Sequence, residues 1–175
     1  MKAKVKKALS SSSCTNPIRV SKTYITDGHA VFHKVFASDT ALDLNVAKSI
    51  FKKRDVIEIT DEELNESIKW KDKKDEKFHK SCIMLDRPDN IPTLGDQICV
   101  YISEKKDYAL FDKRYIDAMG SPYTLEGYGA LNPYKDLRKR NAIMMVRVEK
   151  DFWNNARRAD DLYSLSAMVK EELES

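Results

Sequence analysis

Hydrophobic positions recur along this chain at two spacings, and the change from one to the other marks out its elements. Ile18-Arg19-Val20-Ser21-Lys22-Thr23-Tyr24-Ile25 and Ala30-Val31-Phe32-His33-Lys34-Val35-Phe36 are rich in β-branched and aromatic residues, with Asp27-Gly28 between them. Asp-Gly tolerates the positive φ angles of a tight turn, so the segment predicts a β-hairpin. The spacing then lengthens. Leu42, Val46, Ala47, Ile50 and Phe51 share one stripe at helical period, predicting a helix over 41–54 capped by Ser38, Asp39 or Thr40. Lys48, Lys52, Lys53 and Arg54 lie outside the stripe or close it, where the helix dipole favours cations near the C-terminus.

Asp55–Ile59 reads as a strand, and Thr60-Asp61-Glu62-Glu63 has the form of a capping box for a short helix with Leu64 and Ile68 on its apolar edge. Residues 69–80 are almost all charged and read as a solvated connection. Strands follow at 81–85, at 97–102, where alternation is clean, and at 108–111. Asp112 can cap a helix over 113–119 that Gly120 stops. Residues 122–132 and 142–148 complete the strands, and 151–174 turn helical, with Phe152, Ala156, Ala159 and Leu162 beginning an apolar side.

Residues 1–9 could form a short helix, which four serines and Pro17 would end; they read as a frayed cationic terminus rather than a DNA-binding arm. The expected fold is α+β: antiparallel sheet or sheets, two or three short helices on one face, and a C-terminal helix. Its divisions are a basic, Ser-rich segment 1–16, a domain 17–150, and the helix 151–175 packed on it or extending from it.

Composition narrows the function classes. At 175 residues the chain is long enough for one core, and its net charge of +3 is too small to imply nucleic-acid binding by itself. Cys14, Cys82 and Cys99 leave one cysteine over in any disulfide scheme, which suits a reducing compartment. The basic start lacks the apolar run of a secretory signal, and no stretch approaches the ~20 apolar residues of a membrane helix. A cytoplasmic protein with no membrane contact is expected.

Two motifs resemble the sliding-clamp domains of the bacterial DNA polymerase III beta-subunit family. Ile25-Thr26-Asp27-Gly28-His29 is similar to the family's strand–TDGH–strand hairpin. Leu110-Phe111-Asp112-Lys113-Arg114-Tyr115-Ile116-Asp117-Ala118 is similar to its strand leading into a YLxDAL helix. Leu131-Asn132-Pro133 and Ala142–Val146 then stand where that family has a proline turn and a closing strand, though Val146-Arg147 replaces its Met-Pro ending. The resemblance implies a sliding-clamp-like domain whose helices face duplex DNA. Lys48, Lys52, Lys53, Arg54, Lys113 and Arg114 would then meet phosphates without reading sequence. Duplex DNA or replication proteins become the expected partners. Such clamps build a ring from several domains per chain, so a lone domain would form one only as a homo-oligomer.

Catalytic chemistry finds little support. If Ala30–Phe36 is a strand, His29 and His33 stand about 13 Å apart at ~3.3 Å per residue and cannot share a metal. Five glycines spread singly cannot cradle a nucleotide, and the paired acids have ready places at helix ends. A non-enzymatic protein without metal or cofactor is expected; a metal-dependent nuclease using His29 or His33 is the weakest reading. The main alternative to DNA contact is a small module that binds and modulates another protein. It would use helix 151–174 or the loop carrying Tyr123, Tyr128 and Tyr134.

Overall fold

A computed structural model describes residues 1–11, 15–68, 76–86, 97–104, 108–127, 133–136, 138 and 140–144. The first two elements are a helix, α1 (Ala3–Leu9), and strand β1 (Ile18–Val20). Strands β2 (Tyr24–Thr26) and β3 (Ala30–His33) follow, then the helical turn α2 (Lys34–Ala37), helix α3 (Leu44–Ile50) and strand β4 (Val56–Glu58). Helix α4 (Asp61–Ile68) precedes β5 (Glu76–Asp86), β6 (Gln97–Ser103), β7 (Tyr108–Asp112) and α5 (Lys113–Ala118). Three short strands close the series: β8 (Thr124–Gly127), β9 (Tyr134–Asp136) and β10 (Asn141–Ile143). The mixture of helix and strand agrees with the expected α+β class.

Among the described residues ten strands form one sheet, ordered β4-β1-β2-β3-β10-β9-β8-β5-β6-β7. Neighbours are antiparallel except β1 and β4, which run parallel with Ile18 opposite Val56. The sheet is therefore mixed, where a wholly antiparallel one was expected. Strand β10 joins the two halves by pairing with β3 on one side and β9 on the other, setting Ala142 opposite Val31. No helix among the described residues is long and apolar enough to cross a membrane.

The local chemistry explains most boundaries. The predicted hairpin forms between β2 and β3, and Gly28 supplies φ 90° at its turn. The predicted strand 18–25 is broken, because the Ser21 hydroxyl accepts hydrogen bonds from the Thr23 and Tyr24 N–H groups and turns the chain. The second run ends early as well: His33 Nδ1 accepts from the Val35 N–H and starts α2. Helix α3 is shorter than 41–54 and is capped by Asp43, whose Oδ1 accepts from Val46 N at 2.8 Å, rather than by Ser38, Asp39 or Thr40. The capping box forms as predicted. Thr60 Oγ1 accepts from Glu63 N at 3.0 Å, and Glu63 Oε2 accepts from Thr60 N at 2.8 Å. Asp112 caps α5 through Arg114 N, and Gly120 leaves the helix at φ 84°.

One face of the sheet carries the main core. Val5, Ala8 and Leu9 of α1, Ala47 and Phe51 around α3, and Tyr115, Ile116 and Met119 around α5 pack there with Ile18, Ile25, Phe32 and Phe111. The predicted 1–9 segment thus holds a packed helix, Ala3–Leu9, and is not a frayed terminus. The opposite face holds a smaller cluster of Val31, Leu64 and Ala142, which puts α4 on that side. Strand alternation makes the division, since Val31 and Phe32 point to opposite faces. Across strands β5 to β9, Phe78, Tyr101, Phe111 and Tyr134 form an edge-to-face aromatic group with neighbouring centroids 4.9–5.4 Å apart. The predicted helix 151–175 and residues 69–75 of the predicted connection 69–80 lie outside the described residues, whereas Glu76–Lys80, expected in that connection, form the start of β5 paired with β6 and β8.

Candidate nucleic-acid interface

The two motifs that carry the clamp resemblance, 88 residues apart between Asp27 and Tyr115, meet in the fold. Asp27 is fully buried, and its Oδ1 accepts from the His29 and Ala30 N–H groups at 3.0 and 3.1 Å. Its Oδ2 accepts from the Tyr115 hydroxyl at 2.5 Å. The Tyr115 ring lies near the His29 ring on one side, centroids 6.4 Å apart, and 4.8 Å from the Arg114 guanidinium carbon. Among the described residues no three His, Cys, Asp or Glu side chains gather in a metal-binding arrangement. His33 is occupied in capping α2, and the carboxylate of Asp27 in holding the turn to α5.

The six cations expected at DNA divide into two groups. Lys48, Lys52 and Lys53 are exposed. Arg54 is half-buried and works inside the fold: Nη1 donates to the Leu9 carbonyl at 2.5 Å, and Nη2 donates to the Asn16 carbonyl. It therefore ties the turn after α3 to the C-terminus of α1, where the terminal carbonyls need donors. Arg114 pairs with Asp112 at 2.9 Å with only 15% of its side chain exposed. Lys113 pairs with Asp117 at 2.5 Å. Charges held in this way are less available to phosphate than free lysines.

The sequence reading allowed a short helix over 1–9 but took it as a frayed terminus, and so missed the packing of α1. Its Val5, Ala8 and Leu9 fall at i, i+3 and i+4, a short apolar face that signals packing. Lys4, Lys6 and Lys7 remain exposed. The Arg54 link makes the end carrying Lys6 and Lys7 a neighbour of the turn carrying Lys52 and Lys53. Helix α1 also packs directly against α5.

The aromatic loop is divided too. Tyr123 is 87% exposed, but Tyr134 is 2% exposed and belongs to the core, which removes it from any exposed binding loop. Tyr134 is held there by Phe78 and Phe111. Tyr128 lies outside the described residues. Protein-family models, curated proteins and solved structures alike yield no match to this chain.

Proposed function

We propose that this chain is a non-enzymatic, sliding-clamp-like protein that contacts duplex DNA without reading its sequence. The observation that carries the reading is the juxtaposition of exposed Lys6 and Lys7 with exposed Lys52 and Lys53 through Arg54. Lys4 and Lys48 extend the same two segments. Compact ammonium groups on a short helix and a turn suit phosphate contact, and the Arg54 guanidinium beside them is taken up by backbone carbonyls instead of being presented to a base edge. The packing of α1 and α5 side by side on one face of a single sheet supports a clamp-like architecture. A ring around DNA would need several copies, so homo-oligomerisation and replication proteins as further partners belong to the same proposal.

The test is fluorescence anisotropy with a labelled 30-base-pair duplex between 50 and 200 mM salt. Five phosphate contacts correspond to a log–log slope near −4.5, or roughly a 500-fold loss of affinity over that range. The variant Lys6→Glu, Lys7→Glu, Lys52→Glu, Lys53→Glu should weaken binding at every salt concentration and flatten the slope by about 0.9 per lost contact. Lys113→Ala, which removes a paired cation, should change little. Absence of binding at 50 mM, or a slope unmoved by the quadruple substitution, would remove the proposal.

A further inference from the structure

An arginine on a sheet face is steadied by a carboxylate set opposite it on a neighbouring strand. Arg19 of β1 has none. Its register partners are Thr26 on β2 and Ile57 on β4, both uncharged. Asp55, two residues before Ile57, makes no ion pair with it, and among the described residues the Arg19 side chain forms no hydrogen bond or ion pair. Yet Arg19 is half-buried rather than trailing in solvent. It lies along the β2–β3 turn: a Cβ added at Gly28 would stand 3.8 Å from Arg19 Nη1 and 3.2 Å from Asn16 Nδ2. Gly28 is exposed and has no side chain to cover the guanidinium. The turn itself is pinned. Thr26 Oγ1 accepts from Gly28 N at 2.9 Å, Asp27 Oδ1 from His29 N at 3.0 Å, and the His29 carbonyl from Met144 N at 2.8 Å. Arg19 is thus a cation positioned by packing, with its N–H donors uncommitted.

A guanidinium held in this way presents a fork that matches two oxygens of one phosphate. The glycine turn lets such a group come close to the backbone, and exposed His29 stands next to it. Asn16 joins the turn to the segment carrying Lys52 and Lys53: its carbonyl accepts from Arg54, and its Nδ2 donates to Asp27 O at 3.3 Å. We propose that Arg19, beside Gly28, is a phosphate-binding position, and that the phosphate it holds belongs to the backbone of a duplex. The second half rests on the function proposed above; the first does not. The division of labour follows from the side chains. Exposed lysines attract the strand diffusely, whereas Arg19 fixes one phosphate in place and so sets how the duplex lies on the protein.

Two arms of one experiment separate the phosphate group from its source. In the first, the full ¹⁵N-labelled chain is titrated with inorganic phosphate, with acetate as the comparison, and followed at the Gly28 and His29 amides. Saturable shifts with phosphate, several-fold weaker with acetate and lost in Arg19→Gln, are expected. No shifts, or shifts that survive Arg19→Gln, would overturn the site. Equal response to acetate would overturn it in favour of an acidic peptide. In the second arm, duplex anisotropy is measured across the same salt range. Arg19→Lys keeps the charge but loses the fork, so affinity should fall several-fold at every salt concentration with the slope unmoved. Arg19→Gln should also lower the slope by about 0.9. Lysine serving as well as arginine would overturn the held-phosphate geometry. If the parent binds duplex through the lysines and both Arg19 variants match it, the function proposed above stands and the duplex is not what Arg19 holds. If the parent binds no duplex while phosphate still shifts Gly28, that function falls and the position takes a free phosphate.

Discussion

Tyr115→Phe removes one oxygen atom from the contact that joins the β2–β3 turn to α5. The hydroxyl donates to Asp27 Oδ2 at 2.5 Å, and both residues are buried, Asp27 fully and Tyr115 to within 3%. The ring itself can stay between His29 and Arg114, so the substitution leaves volume and apolar burial nearly unchanged. What changes is the carboxylate, which loses the Tyr115 donor at Oδ2 in a buried position. Hydrogen bonds to charged groups contribute about 1.5–3 kcal/mol, which corresponds to a roughly 10- to 150-fold shift towards the unfolded state. For a chain of this size that lowers the melting temperature by about 3–12 °C. Urea unfolding followed by far-UV circular dichroism measures it, with Tyr123→Phe as the exposed control. The midpoint should fall while the dependence on urea is unchanged, because the exposed area of unfolding is the same. A loss below about 0.5 kcal/mol would mean that the hydroxyl is not what satisfies Asp27. The two motifs would then be adjacent without being coupled.

Two further predictions concern packing and pH. A Cβ added at Gly127 would lie 2.2 Å from the Tyr134 ring, so Gly127→Ala must displace a core aromatic and should cost on the order of 1–3 kcal/mol in urea unfolding; an unchanged midpoint would show that the ring has room to move. Burial alone would raise the Asp61 pKa, but hydrogen bonds from the Ser21 and Thr23 hydroxyls and the Thr23 N–H, with the Lys22 charge, outweigh it and hold Asp61 below its ordinary value. A lowered carboxylate stabilises the fold above its unfolded pKa, near 4, and that contribution disappears as pH falls through the lower folded value. Thermal melts from pH 6 to 2 should therefore show less acid sensitivity in Asp61→Asn than in the parent, and identical pH profiles would refute the assignment.

The elements that were legible in the sequence are those whose cause lies within a few residues. Asp27-Gly28 makes its turn, Thr60 and Glu63 cap each other, and Asp112 with Gly120 brackets α5, because each depends on backbone groups two to four positions away. Strand ends were read less well. Ser21 interrupts an apolar run with a side-chain hydrogen bond that propensity does not register, and Tyr134-Lys135-Asp136 is too short and polar to announce a strand. Helix α1 was misjudged because seven residues rich in lysine do not hold a helix alone in water. Its stability comes from the surface it meets.

Charge shows the same division most clearly. The sequence determined which residues are cationic and where local helix and turn chemistry puts them. Only the tertiary structure decided which cations are exposed and which are engaged: Arg54 is taken up by carbonyls of residues 9 and 16, Arg114 by Asp112, and Lys6, Lys7, Lys52 and Lys53 are left exposed. It likewise decided that Asp27 meets Tyr115 across 88 residues of chain and that β10 closes onto β3. Such partners are chosen by which surfaces must leave water together, a property of the whole packed sheet, whereas caps and turns answer to the backbone immediately beside them.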